Sequence, residues 1–145
     1  TPGVAAVKDT VADPAFYTGE GAFLLAPDSP LKILVDSDAV MLDFLRRGAH
    51  GATSICATAF PGGYLRLFND RSSARADHID AALRGFSDVV FKAPRRDFRA
   101  RLKAALAADG IIACDRVRAP LPDISGAERR AIADALRTAR LKISD

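Results

Sequence analysis

The sequence is poor in the residues on which several kinds of chemistry depend. Its two cysteines, Cys56 and Cys114, stand far apart with no C-x-x-C spacing and no neighbouring histidine, which argues against a disulfide and against zinc. The two histidines add nothing to that. His50 reads as a turn residue between Gly48 and Gly51, and His78 as part of an exposed helical face beside Asp77 and Asp80. Neither has a second ligand at metal spacing, so no metal is expected. No window reaches the roughly 18 consecutive apolar residues of a membrane span. The opening Thr1-Pro2-Gly3 has no basic and apolar leader, so a cytoplasmic location without a membrane partner is the expectation. Gly62 and Gly63 carry no G-x-G-x-x-G or P-loop spacing around them, which leaves nucleotide cofactors unsupported; no cofactor is expected. An initiating methionine is also lacking, and the chain enters an apolar stretch almost at once, so it reads as a fragment of a longer polypeptide.

What is present suits one globular unit. At 145 residues and 49% apolar the chain has enough hydrophobic material for a sizeable core. The net charge is +3, with many cations among the arginines of the second half: Arg71, Arg75, Arg84, Arg95, Arg96, Arg99, Arg101, Arg129, Arg130 and Arg137. These are interleaved with Asp and Glu along helical stretches, the pattern of a solvated helix face. With few aromatics and no binding motif beside them, no nucleic-acid partner is expected.

Three apolar runs of strand length, Gly3 to Val7, Leu31 to Val35 and Gly51 to Cys56, alternate with helical pattern. Asp13 and Pro14 form a helix start, but Gly19 and Gly21 predict a short or irregular helix after it. Asp36-Ser37-Asp38 supplies capping chemistry for a helix reaching Arg47, with Met41, Leu42 and Leu45 inward, and Gly48 stops it. Further helices are predicted near 62–70, 73–92, 95–109 and 126–140, the last opened by the capping box Ser125-Gly126-Ala127-Glu128. Strands that are nearly all apolar and alternate with helices predict a parallel sheet covered on both faces. Three such strands make a poor sheet alone. They suffice as the last three β/α units of a (β/α)8 TIM barrel followed by a C-terminal helical region, with residues 1–70 as barrel and 71–145 as helices.

Lys8 ends the first apolar run. A lysine at a strand end ordinarily snorkels into water. Held instead at the rim of a buried strand, in low dielectric, it becomes available as the free amine that imine chemistry requires. Lys8, Asp36 to Asp38 and Ser54 to Thr58 all fall at strand carboxyl ends, where barrel enzymes build their sites.

In order and spacing these segments resemble the dihydrodipicolinate synthase and N-acetylneuraminate lyase family, over the C-terminal half of its barrel. Pro2-Gly3-Val4-Ala5-Ala6-Val7-Lys8-Asp9-Thr10 looks like the family's sixth strand, ending in the imine-forming lysine. Leu31 to Asp38 resembles the seventh strand and its polar turn, and Leu42-Asp43-Phe44 through Gly48-Ala49-His50-Gly51 the approach to the eighth. Arg116-Val117-Arg118-Ala119-Pro120-Leu121-Pro122-Asp123-Ile124-Ser125 resembles the segment before the last helix.

The resemblance implies that Lys8 forms a Schiff base with pyruvate or another 2-oxo acid, whose enamine attacks or leaves an aldehyde. Thr53 would contact the pyruvyl group largely through its backbone, and Ser37 would face the substrate. A homotetramer is the implied assembly. Two departures bear on the substrate. The seventh-strand turn is commonly Gly-Asp-Asp where this chain has Asp36-Ser37-Asp38, and Ala12 replaces a usual glycine. The Ser-Asp turn also resembles 2-keto-3-deoxygluconate aldolases, which keeps a sugar-acid substrate open beside lysine-biosynthetic chemistry. A non-catalytic half-barrel that serves oligomerisation is the further alternative. The family's proton-shuttling tyrosine and carboxylate-binding threonines come from earlier strands, so Tyr17 and Tyr64 read as helix-packing residues.

Overall fold

In the computed structural model, which describes residues 3–144, the three apolar runs form a parallel sheet in the order β1-β2-β3. β1 is Ala6–Asp9, β2 is Lys32–Val35 and β3 is Gly51–Ala52. Lys8 pairs with Leu34, and Val35 with Ala52. Pro2, at the head of the strand motif, lies outside the described residues. Two boundaries differ from expectation. β1 starts later than Gly3 and carries Lys8 within it, and β3 stops at Ala52 because the chain turns into a short 3-10 segment at Cys56–Thr58.

Successive residues of a strand point to opposite faces. Ile33 and Val35 are fully buried, whereas Ala6, Lys8 and Lys32 on the other face are exposed. The expectation that the first run is a buried strand is therefore corrected. β1 is an edge strand with a neighbour on one side, and among the described residues nothing covers its open face, so even Val7 is 39% exposed.

Helix α1, Pro14–Thr18, begins as its sequence predicts: the Ala15 N–H donates to Asp13 Oδ1 at 2.9 Å, and Pro14 occupies the first turn. A 3-10 turn at Ala22–Leu25 follows the two glycines, which confirms the irregularity. Ala12 is buried and adopts φ 47°, the left-handed region that glycine enters freely.

Helix α2, Met41–Arg46, buries Met41, Leu42, Phe44 and Leu45, but the expected cap is absent. Its N-cap is Val40, with no side-chain hydrogen bond, because Asp36 and Asp38 are engaged elsewhere. Helices α3, Pro61–Asp70, α4, Ala76–Phe91, α5, Phe98–Ala108, and α6, Gly126–Ser144, match the predicted helical back, with α6 running longer. The capping box of α6 forms: the Glu128 N–H donates to Ser125 Oγ at 3.2 Å, and the Ser125 N–H to Glu128 Oε2 at 3.4 Å.

α4 packs most extensively on α6. Ile79, Leu83, Phe86 and Val90 of α4 and Ile132, Leu136, Ala139 and Ile143 of α6 are buried at three- and four-residue spacing, one stripe on each helix. One arginine departs from the solvated-face reading. Arg101 is completely buried and donates to the carbonyls of Val90, Lys92 and Pro94, with Glu128 beside its Nε at 3.3 Å. It closes the C-terminal end of α4 and ties it to the start of α6.

Candidate active site

The carboxyl ends of β1 and β2 open into a cleft of about 650 Å³. Thr10 and Asp36 to Ala39 form its floor, and Ser87, Asp88 and Phe91 of α4, with Lys92, Arg95 and Phe98 beyond it, form the opposing wall. Register explains the floor. Lys8 lies opposite Leu34 on the uncovered face, so Asp36, two residues beyond Leu34, points to the same side as Lys8 and Thr10.

Lys8 Nζ lies 2.5 Å from Asp36 Oδ2, with the lysine side chain 53% exposed and the aspartate 12%. The Thr10 hydroxyl donates to the same Oδ2 at 3.4 Å. Lys8 is thus not held in low dielectric, which corrects that part of the sequence reading. Among the described residues nothing covers the open face, so its stem is exposed, while its head is held by a carboxylate.

Ser37 lines the cleft next to Asp36. Thr53 lies at the third strand's carboxyl end, where its N–H donates to the Val35 carbonyl at 2.9 Å and its buried Oγ1 has no hydrogen-bond partner among the described residues. Its backbone is attached to the residue preceding Asp36. Of the three, Ser37 lines the cleft, Lys8 reaches it through its contact with Asp36, and Thr53 lies at the end of β3 outside the cleft lining.

Behind this edge sits a buried polar cluster. The Ser54 hydroxyl donates to Asp38 Oδ1 at 2.5 Å, and the Ala57 N–H donates to Ser54 Oγ at 3.1 Å. Burial pushes the Asp38 carboxyl above its ordinary range, against the lowering effect of the Ser54 hydroxyl. Burial, reinforced by the Asp38 charge, likewise raises the Cys56 thiol and the Tyr64 phenol. Both groups stay protonated at neutral pH, and Cys56 is no nucleophile. Tyr64 Oη lies beside Asp38 and Ser54 without a hydrogen bond of normal geometry.

Tyr17 packs edge-on against Phe16 and Phe44, with ring centroids 5.1 and 5.0 Å away, and donates its hydroxyl to Asp9 Oδ2 at 2.8 Å. Burial and the Asp9 carboxylate push its phenol up to about 12. Both tyrosines are the packing residues the sequence suggests. His50 does more than turn the chain, since its Nδ1 accepts from the Ile33 N–H at 3.2 Å and braces β2. His78 Nε2 lies 2.9 Å from the Lys142 carbonyl. Among the described residues no cluster of three or more His, Cys, Asp or Glu stands ready for a metal, and no helix is long and apolar enough to cross a membrane.

The Lys8–Asp36 contact is what the sequence reading missed. The signal existed: two parallel runs of similar length, one ending in lysine and the other in aspartate, place those ends side by side once paired.

The sequence profile of the dihydrodipicolinate synthetase family matches residues 1–139, and the chain belongs to that family. No curated protein matches it at a comparable level. Among solved structures, the chain is similar to dihydrodipicolinate synthase from the commensal bacterium Bacteroides thetaiotaomicron. That pair shares 24% identity and a TM-score of 0.78, over 94% of this chain and 47% of the other. A structure described as the first monomeric dihydrodipicolinate synthase variant matches at 19% identity and TM-score 0.80, over 95% and 46% of the two chains. The Ruminococcus gnavus sialic acid aldolase matches at 22% identity and TM-score 0.70, over 83% and 41%. At these identities the shared property is the fold. The chain spans a little under half the length of these structures.

Proposed function

We propose that the chain contributes the lysine-bearing half of a class I, Schiff-base-forming lyase that joins or cleaves pyruvate and an aldehyde. The reading most like this sequence is 4-hydroxy-tetrahydrodipicolinate synthase, an enzyme of lysine biosynthesis. In it, residues 1–70 are the last three β/α units of a TIM barrel, strands six to eight, and residues 71–145 a C-terminal helical region. The exposed face of β1 and β2 fits a sheet that continues into the rest of a barrel.

The observation that carries the proposal is the position of Lys8, on a family-matched strand at the carboxyl edge of a parallel sheet, in contact with Asp36 of the cleft floor. Its amine would condense with the 2-oxo acid, and the protonated imine would draw electrons from the adjacent carbon and stabilise the enamine. Ser37 and Thr53 are assigned to substrate binding, Thr53 through its carbonyl and its unpartnered hydroxyl, since its N–H is committed to Val35. A second reading, a 2-keto-3-deoxy sugar acid aldolase or N-acetylneuraminate lyase-like enzyme, is favoured by the hydroxyl of Ser37 in the cleft and by the fold shared with a sialic acid aldolase. A homotetramer is the assembly assigned by family, although the fold also occurs in a monomeric variant. The two free cysteines suit a cytoplasmic setting.

Reductive trapping tests the reading. Full-length protein treated with pyruvate and borohydride should carry the reduced adduct on the peptide containing Lys8. An intact, folded protein with no adduct would remove the pyruvate lyase and leave another 2-oxo acid or a non-catalytic relative.

A further inference from the structure

The chain leaves β1 through a turn held more firmly than a connection requires. Asp9 ends the strand opposite Val35, so its side chain points to the buried side of the sheet, away from the face that carries Lys8. Its carboxylate accepts three hydrogen bonds. The Val11 N–H donates to Oδ1 at 2.9 Å, and the Ala12 N–H and the Tyr17 hydroxyl donate to Oδ2 at 3.1 and 2.8 Å. Its carbonyl accepts a fourth, from the Asp36 N–H at 2.8 Å. Every one of these partners lies between residues 9 and 36, so the arrangement stands on contacts within this stretch of chain.

Ala12 bears the strain of the turn. It is 3% exposed with φ 47°, a conformation in which a Cβ crowds the following carbonyl oxygen. Strained backbone persists where its surroundings over-determine it, and it gathers at functional sites. The two residues between Asp9 and Ala12 show what the turn aims. Thr10 and Val11 line the cleft, and the Thr10 hydroxyl reaches the same Asp36 oxygen that holds Lys8 Nζ.

Resting on the Schiff-base reading of Lys8, we propose that Asp9 is the positioning residue of the imine-forming lysine, acting through the turn that it locks with Tyr17. The effect is geometric. Asp9 faces away from the amine and moves no proton; it fixes where β1 ends, and with that the reach of Lys8, the Thr10 hydroxyl and the backbone of Asp36. Tyr17 supplies the anchor, because its ring packs on Phe44 of α2 with centroids 5.0 Å apart, so its hydroxyl ties Asp9 to the core. An amine attacks a carbonyl carbon from about 3 to 3.5 Å along one direction, and a displacement of about 1 Å loses much of the rate.

The test follows borohydride trapping of pyruvate on Lys8 as a function of pyruvate concentration. Full-length wild type is compared with Asp9→Ala, Tyr17→Phe and the double variant Asp9→Ala with Ala12→Gly, and thermal unfolding establishes that each is folded. Asp9→Ala should lower the rate at saturating pyruvate by about 10-fold or more and leave the half-saturating concentration within about 2-fold. Tyr17→Phe keeps the ring and removes one donor, so its rate should fall less. Glycine enters the left-handed region without strain, so adding Ala12→Gly should return much of the rate lost in Asp9→Ala. Loss of the Asp9 charge by itself would not respond to a glycine three residues away. Should Asp9→Ala fail to fold, Asp9→Asn, whose amide oxygen still accepts from Val11, takes its place under the same criteria. A wild-type rate in the folded position-9 variant would overturn the assignment. So would a fall confined to the half-saturating concentration, or one that Ala12→Gly does not restore. Each of those results leaves Lys8 as the imine-forming residue, whereas a wild type that traps no pyruvate would overturn the Schiff-base reading and this proposal together.

Discussion

Lys8 Nζ and Asp36 Oδ2 lie 2.5 Å apart across neighbouring parallel strands, on a sheet face that none of the described helices covers. Register produces the contact. Pairing of Lys8 with Leu34 sets the next residue on that side of β2, Asp36, one step beyond the lysine. The pair therefore depends on the sheet and not on the helices behind it.

That independence makes Lys8 replaceable without unfolding. Its side chain is 53% exposed, so Lys8→Ala should change stability by less than about 1 kcal/mol after solvent screening of the pair. The same variant should carry no borohydride-trapped pyruvate. Urea unfolding and intact mass spectrometry check the two halves, and an adduct of undiminished yield in Lys8→Ala would remove Lys8 from the chemistry.

Arg101 should behave in the opposite way. It is fully buried, and its guanidinium satisfies the carbonyls at the end of α4 while meeting Glu128 at the start of α6. Glu128 is held below its ordinary value because Lys92, the Ser125 backbone and Arg101 together outweigh the upward pull of burial. Arg101→Met should strand those carbonyls and cost about 3 kcal/mol or more, read as a lowered urea midpoint. A midpoint within error of wild type would show that water takes over the arginine's contacts.

How much of this was legible before folding varies by residue. Ile33 and Val35, the stripe Ile79, Leu83, Phe86 and Val90, and the Ser125–Glu128 box were readable because each is a local pattern with one physical solution. The exposure of β1 among the described residues was not readable, since an apolar run cannot tell whether a second layer is at hand to cover it. Asp36 and Asp38 looked like caps because caps are the local answer; their partners, Lys8 and Ser54, are distant in sequence. Arg101 could have been suspected. Ala104 and Ala105, three and four residues on, share its face of α5 and are buried, which places the arginine on the helix's apolar side.

Gly48 supplies a prediction about the turn that brings the third strand into the sheet. Its φ is 110°, and a methyl group there would come within 2.8 Å of the Leu25 carbonyl oxygen. Strain and contact should together make Gly48→Ala destabilising by about 1 to 3 kcal/mol. Because the turn leads to His50, whose N–H donates to the Ile33 carbonyl and whose Nδ1 accepts from the Ile33 N–H, hydrogen exchange at the Ile33 amide should also accelerate. Unchanged stability and unchanged exchange would mean that the backbone relaxes at no cost.

Asp38 gives the pH dependence. Its carboxyl is raised from an ordinary 3.8, first by burial, so the folded protein holds that proton more tightly than the unfolded chain. Its contribution to stability is then full below the unfolded value and is lost as pH rises through the folded one. Asp38→Asn keeps an oxygen that can accept from Ser54 but carries no charge, so it removes this one titration while leaving the other carboxylates in place. The variant should gain on the wild type in unfolding temperature as pH is raised from about 3 towards neutrality, the gap widening upward from the ordinary carboxylate range. A gap that stayed constant would mean that Asp38 titrates alike in both states. A gap that narrowed would mean that the Ser54 hydroxyl, and not burial, dominates its environment.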